Sequence, residues 1–238
     1  GHAVTREFYI NDAGAQIDKL AQSLWARVRE ASGLPFEIPE GGYHGEYLQE
    51  NARELLQREG AAFAQLSDGD GIARSRPLGI RMQREEQNRD LAEFGVEFDV
   101  LSSEQAIYDA GKVEQALELL AERGLTYEAE GALWLRTTQF GDDKDRVLRK
   151  GDGSLTYLVP DIAYHMDKHD RGFDRAIDVW GADHHGYIPR MRAALLALGY
   201  PAEFFSVELV QLVKVIRGGE EVKMSKRSGD FITLRDLF

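Results

Sequence analysis

Ala176-Ile177-Asp178-Val179-Trp180-Gly181-Ala182-Asp183-His184-His185-Gly186-Tyr187 runs from a short β-rich stretch through a glycine into the start of a helical pattern. Outward from it the chain alternates. A helix is predicted over Ile162 to Lys168, a strand over Ala176 to Trp180, a helix over Tyr187 to Leu198 stopped by Gly199, and a strand over Val207 to Ile216. Strands separated by single helices are the signature of parallel α/β structure. In open α/β sheets, ligands bind outside the carboxyl ends of the strands, near the switch in strand order. Trp180-Gly181 is such an end. Gly181 lets a nucleotide approach the backbone, and the Asp183 carboxylate can accept hydrogen bonds from ribose hydroxyls. Alternatively, Asp183 caps the helix, and His184 and His185 are packing or surface residues.

Toward the C-terminus a Gly218-Gly219 turn leads to Lys223-Met224-Ser225-Lys226-Arg227-Ser228-Gly229. Two lysines bracketing a small residue in a loop suit a reaction in which negative charge builds on a polyphosphate leaving group, because each ammonium can be aimed at the developing charge. ATP is the matching ligand. A solvated basic loop is the plain alternative. Upstream, Tyr157-Leu158-Val159-Pro160-Asp161 places Asp161 at or near a helix start, where a carboxylate is comfortable beside the helix dipole. It either caps the helix or, with the Tyr157 hydroxyl, faces a pocket for a cationic head group. His165 and His169 are four apart, as in zinc helices, but Met166 follows His165 and no third ligand is evident, so no bound metal is expected.

The N-terminal half is more irregular. Val4 to Ile10 alternates like a strand, Asn11-Asp12 offers caps, and Ile17, Leu20, Leu24 and Val28 mark a helix with Gly33 as its stop. Pro35 to Gly42 reads as a linker and Tyr43 to Leu66 as a helix broken by Ser67-Asp68-Gly69-Asp70-Gly71. The Asp-Gly pairs there lack the other ligand positions of a calcium loop. A helix is predicted over Pro77 to Phe94, a strand over Val96 to Val100, a turn capped by Ser102 or Ser103, and a helix over Val113 to Arg123 ended by Gly124. Strands are predicted at Ala132 to Arg136 and Arg146 to Arg149, with Lys150-Gly151-Asp152-Gly153 turning into a strand at Leu155 to Leu158.

With 238 residues, 43% of them hydrophobic, the chain can bury a substantial core. Its formal net charge of −12 argues against non-specific nucleic-acid binding over the whole surface. The absence of cysteine excludes disulfides and thiolate metal sites and favours a cytosolic compartment. No apolar run reaches the roughly 20 residues of a membrane-spanning helix, and no signal-peptide layout opens the chain, so a cytoplasmic location is expected.

Together these segments resemble the catalytic region of class I aminoacyl-tRNA synthetases, and within them the arginyl-tRNA synthetase family. The resemblance is carried by Arg6-Glu7-Phe8-Tyr9-Ile10-Asn11-Asp12-Ala13-Gly14, Tyr43-His44-Gly45-Glu46-Tyr47, Asp161-Ile162-Ala163-Tyr164-His165, Arg171-Gly172-Phe173-Asp174, Gly181 to Tyr187 and Lys223-Met224-Ser225-Lys226. The lysine motif points to the class and the other blocks to arginine. The resemblance implies catalytic roles for Lys223 and Lys226 on the ATP phosphates, with Ser225 keeping the loop compact. It implies ATP contacts at Gly181, Asp183, Gln211 and Met224, and arginine contacts at Tyr157, Asp161 and His184. The implied reaction joins arginine to ATP, giving arginyl-adenylate and pyrophosphate, and then transfers the arginyl group to its tRNA. Magnesium accompanies ATP, and a monomer acting with arginine, ATP and tRNA(Arg), away from membranes, is expected.

The implied architecture is a partial Rossmann-like nucleotide-binding fold with a parallel sheet, plus a mixed α+β insertion. Residues 1–130 are read as the insertion or connective region, and 131–238 as the second half of the catalytic fold, ending after the lysine loop. The second class signature, His-X-Gly-His, does not occur in the 238 residues, and the resemblance implies a catalytic-region fragment lacking that motif and the anticodon-binding domain. The expectation is a truncated synthetase, weak or inactive alone. The alternatives are a non-catalytic nucleotide- or partner-binding module derived from a synthetase, or another class I synthetase.

Overall fold

A computed structural model describes residues 1–222 and 232–237. Gly1–Ser102, together with the described residues from Val215 on, forms one compact unit, and Ser103–Lys214 a second.

In the first unit, β1 (Glu7–Ile10) precedes α1 (Ala15–Ala31), α2 (Glu46–Glu59) and α3 (Asp68–Glu93), and β2 (Val100–Ser103) closes a two-stranded sheet with β1. Arg6 and Asp99 fasten that sheet, the Arg6 amide donating to Asp99 Oδ2 at 2.7 Å. The core is a three-helix packing of Leu24, Trp25 and Val28 against Leu48, Ala52, Leu55, Phe63, Leu78 and Met82. Spacings of three and four put these residues on one face of each helix, and their burial supplies the main stabilisation.

Several expectations change here. The helix predicted over Tyr43 to Leu66 is two pieces, because Gly60 (φ 81°) ends α2 and a 3-10 turn follows over Ala61–Gln65. Ser67 does stand at a break, but it is the cap of α3, accepting from the Asp70 amide at 3.2 Å. The Asp-Gly pairs are thus the first turn of a 26-residue helix that contains Pro77 rather than starting at it. The Asp68 carboxylate accepts from Trp25 Nε1 at 2.9 Å and Asp70 from the Ser67 hydroxyl at 2.6 Å. Helix α1 begins after Gly14 (φ 84°), later than Asn11-Asp12, and the second strand lies at Val100–Ser103 instead of Val96 to Val100.

The reason α3 begins early lies in packing. Gly71, Ser75 and Gly79 recur every four residues and are all buried. A Cβ at Gly71 would collide with the Trp25 indole, and one at Gly79 would stand 3.0 Å from Leu24 Cδ2. This small-residue face lets α1 and α3 approach closely.

The second unit opens with α4 (Glu104–Asp109), capped by Ser103 as expected, and α5 (Lys112–Glu122). An antiparallel sheet follows, in the order β3 (Thr126–Ala129), β4 (Ala132–Leu135), β5 (Arg146–Arg149). Strand β3 is not among the predicted strands; its four residues hold only one aromatic, and the pairing with β4 supplies the order. The strand expected over Leu155 to Leu158 reduces to a single bridge between Arg149 and Leu155. Tyr157 already has helical angles, and α6 runs from Leu158 to Asp170 with Pro160 in its first turn, where a missing N–H costs nothing.

Then come β6 (Ala176–Gly181), a 3-10 turn over Ala182–Tyr187, α7 (Ile188–Ala197) and β7 (Phe205–Val210). Strands β6 and β7 pair in parallel, Gly181 opposite Val210, which makes this the β-α-β arrangement the alternation predicts. The last strand is shorter than the run Val207 to Ile216. Ile216–Arg217 instead forms β8, paired with β9 (Glu220–Glu221) in the first unit around Gly218 and Gly219, both with positive φ. A 3-10 turn lies at Leu234–Leu237. No helix among the described residues is long and apolar enough to cross a membrane.

Candidate functional site

The carboxyl ends of the two parallel strands bring Gly181 and Val210 side by side, with Gln211 next in the chain. The backbone turns sharply after Gly181. A Cβ there would stand 2.5 Å from Asp183 Oδ1 and 3.9 Å from Leu212 Cδ2, so glycine is what lets the Asp183 carboxylate fold back on the strand end. Gly181 is the cap residue of the 3-10 turn, and Tyr187 that of α7; Asp183 caps neither. Its carboxylate is exposed and lies 3.6 Å from His184 Nε2. Trp180 pins the turn, with ring centroids 6.4 Å from His184, 5.8 Å from Tyr187 and 5.9 Å from Phe205. Gly181, Asp183, His184 and Gln211 therefore cluster at one strand-end platform.

Asp161 occupies the first turn of α6. The phenol that reaches it belongs to Tyr187, whose hydroxyl donates to Asp161 Oδ2 at 2.6 Å. Tyr157 stands one turn earlier on the same helix and is 79% exposed. Burial pushes the Asp161 carboxyl up from its ordinary range and Asp178 adds to this; the Tyr187 hydrogen bond and the positive charges of His165 and Lys168 oppose it. A half-buried carboxylate with one fixed donor keeps acceptor capacity for others and can take a planar cation through charge-assisted hydrogen bonds.

Behind Asp161 lies a second layer. His165, 3% exposed, places Nδ1 2.8 Å from the Asp161 main-chain oxygen and Nε2 3.0 Å from Asp178 Oδ2. Lys168 donates to Asp178 Oδ1 at 2.9 Å. Burial alone would raise the Asp178 carboxyl, but the hydrogen bond from His165 and the charges of His165 and Lys168 outweigh it and hold Asp178 at about 2. His169 is separate, stacked on Tyr200 with centroids 4.4 Å apart. The two histidines, in register on one helix, thus serve different neighbours. Among the described residues no group of three His, Asp or Glu converges on a metal position.

Sequence reasoning did not single out Asp178, Lys168 or Tyr187. The available signal was Asp178 itself, a lone charge inside an apolar strand, which needs a partner. Lys223, Met224, Ser225 and Lys226 lie outside the described residues. A cleft in the first unit, lined by Trp25, Arg29, Pro35, Phe36, Glu37 and Asp68, contains none of the residues singled out above.

The Asp178 network makes the stability of this unit acid-sensitive. A carboxyl at about 2 in the fold against 3.8 in the unfolded chain stabilises the fold when ionised, by on the order of 2 kcal/mol. That contribution is complete above about pH 4 and is lost as pH falls through about 2. Asp142 acts in the same direction, held at about 2 by the two hydrogen bonds from Arg146. The unfolding midpoint is expected to drop steeply between pH 4 and pH 2, and Asp178→Asn to flatten, but not abolish, that slope. An unchanged slope in the variant would exclude Asp178 as a source.

The sequence matches the family described as tRNA synthetases class I (R), catalytic domain, over residues 1–238. It is 52% identical over 237 residues to an arginine–tRNA ligase of Geobacillus kaustophilus and 54% identical to that of Bacillus pumilus. In both cases the match takes in 100% of this chain and 42% of the relative, so the chain spans about two-fifths of the length of these curated relatives. Among solved structures, a candidate arginyl-tRNA synthetase from Campylobacter jejuni superposes with a TM-score of 0.84 at 39% identity, over 97% of this chain and 50% of that one. An arginyl-tRNA synthetase from Plasmodium falciparum superposes with a TM-score of 0.56 over 87% of this chain and 36% of that one. At 13% identity it shows the fold alone.

Proposed function

Because the chain belongs to the family of class I tRNA synthetase catalytic domains for arginine, we propose that it is the part of an arginine–tRNA ligase that binds arginine and ATP and forms the adenylate. The observation that carries this reading is Asp161, a half-buried carboxylate on the first turn of α6 that already accepts one hydroxyl donor. The substrate guanidinium pairs with it, flanked by Tyr157 and His184. ATP lies at the strand ends, its ribose on Asp183, its backbone approach opened by Gly181 and its adenine along Gln211. Lys223 and Lys226 are the cations for the phosphates of the magnesium complex of ATP, with Met224 and Ser225 in the same sequence motif. In this reading residues 1–130 are the connective region and 131–238 the later half of the catalytic fold.

In the first step a carboxylate oxygen of arginine attacks the α-phosphorus. The bond to the bridging oxygen breaks and pyrophosphate leaves, its growing charge met by the two lysines. In the second, a hydroxyl of the terminal ribose of tRNA(Arg) attacks the activated carbonyl and AMP leaves. A site built to hydrogen-bond a guanidinium rejects analogues lacking it by roughly 10⁴-fold, because its polar groups would otherwise stay unpaired.

Calorimetric titration of the 238-residue chain with arginine, lysine, ATP and a non-hydrolysable arginyl-adenylate analogue tests this reading. The analogue is expected to bind most tightly, and arginine far better than lysine. Preference for another amino acid would overturn the arginine assignment. Binding of none of these ligands, with tight binding to a protein partner, would favour a non-catalytic module.

A further inference from the structure

We propose that His165 is a positioning residue for Asp161: held between the Asp161 main-chain oxygen and Asp178, with hydrogen on both ring nitrogens, it fixes the first turn of α6 and sets a positive charge between two carboxylates. The proposal rests on the reading that Asp161 receives the guanidinium of the substrate.

A carbonyl oxygen only accepts, so the 2.8 Å contact at Nδ1 requires a hydrogen there. The Asp178 carboxylate also only accepts, and it is already committed to Lys168 through its other oxygen, so the 3.0 Å contact at Nε2 requires a second hydrogen. The ring is 3% exposed and packed edge-on against Phe205 (5.0 Å) and Tyr164 (5.6 Å), so its two polar contacts are with the Asp161 and Asp178 acceptors and not with bulk solvent. A neutral imidazole would leave one of these buried contacts repulsive.

The consequence reaches Asp161 in two ways. Asp161 and Asp178 are both half-buried, and their like charges disfavour each other. The cation between them offsets that repulsion and keeps Asp161 able to carry the charge that a guanidinium needs. The bond from Nδ1 also ties the ring to the turn that presents the Asp161 side chain, so its direction is set before substrate arrives. Lys168 completes the balance at Asp178 and covers the Tyr164 ring, its Nζ 4.2 Å from the centroid.

Two measurements on the 238-residue chain test this. In ¹⁵N spectra of the histidine ring, both His165 nitrogens are expected at protonated positions under the conditions of the binding assay; one unprotonated nitrogen would overturn the proposal. In titrations, His165→Gln, which keeps one donor nitrogen but cannot carry a charge, is expected to weaken arginine binding about 10-fold while ATP binding stays within about twofold. Unchanged arginine affinity, or an equal loss for both ligands, would also overturn it, the second marking a merely structural role. If the variant does not fold, the wild-type spectra decide alone. Asp161→Asn separates the two layers: loss of arginine binding there with none in His165→Gln sinks only the role of His165. Retained arginine binding in Asp161→Asn sinks the substrate reading itself.

Discussion

Asp161→Asn is expected to lower the affinity of the chain for arginine about 100-fold and to leave its stability unchanged or slightly higher. Removing the charge from one side of a hydrogen-bonded charge pair costs about 2–5 kcal/mol, and 100-fold corresponds to roughly 2.7 kcal/mol, toward the lower end because the amide still accepts from Tyr187. The stability side follows from the direction of the carboxyl's shift. Burial raises Asp161, so the fold favours its neutral form, and the ionised group is a cost that grows as pH rises through its folded value. An amide of the same shape removes that cost. The pairing of a large binding loss with no stability loss distinguishes a substrate carboxylate from a structural one. Calorimetry for arginine and urea unfolding for stability check it together; a variant that binds arginine normally would refute the assignment.

Gly71→Ala is expected to destabilise the first unit by about 2–3 kcal/mol, whereas Gly69→Ala, two residues earlier, should be neutral or stabilising by about 0.5 kcal/mol. The two glycines look alike in Ser67-Asp68-Gly69-Asp70-Gly71, and both lie in the first turns of α3. Their surroundings differ. A methyl group at Gly69 meets nothing within 4 Å, but at Gly71 it enters the space of the Trp25 indole. That indole is 3% exposed, held by its hydrogen bond to Asp68 and edged against Phe63 at 5.6 Å, so it has nowhere to move. Relief would require α1 and α3 to separate, which would loosen the contact of Leu24 with Gly79 as well. Urea midpoints of the two variants decide the matter, and equal effects would show that the small-residue face does not set the approach of the helices.

How far the sequence could be read depended on the range of the interactions involved. The alternation around Ala176 to Tyr187 was legible because each element there carries its own periodicity and stop signals, and Gly181 with Asp183 stood out as a strand end suited to a ligand. A cap at Ser102 or Ser103 was legible because such a partner is local, and it is Ser103 that accepts from the Ala106 amide three residues away. Leu155 to Leu158 was misread as a strand because the apolar residues after the turn suit a strand and a buried helix start equally well. The early start of α3 was missed because Asp-Gly pairs break helices on average, and only the indole across the interface shows why glycine is needed there.

By itself, then, the sequence determined the parallel α/β character of residues after Asp161, the glycine-marked strand end and the serine cap before α4, since all of these rest on contacts within a few residues. Tertiary structure alone decided that Tyr187 meets Asp161 across 26 residues, that Asp178 on β6 meets His165 and Lys168 on α6, and that Gly71 belongs to a helix interface. Those choices depend on which side chains burial brings together. A buried charge or a missing side chain has no meaning until its neighbour is in place.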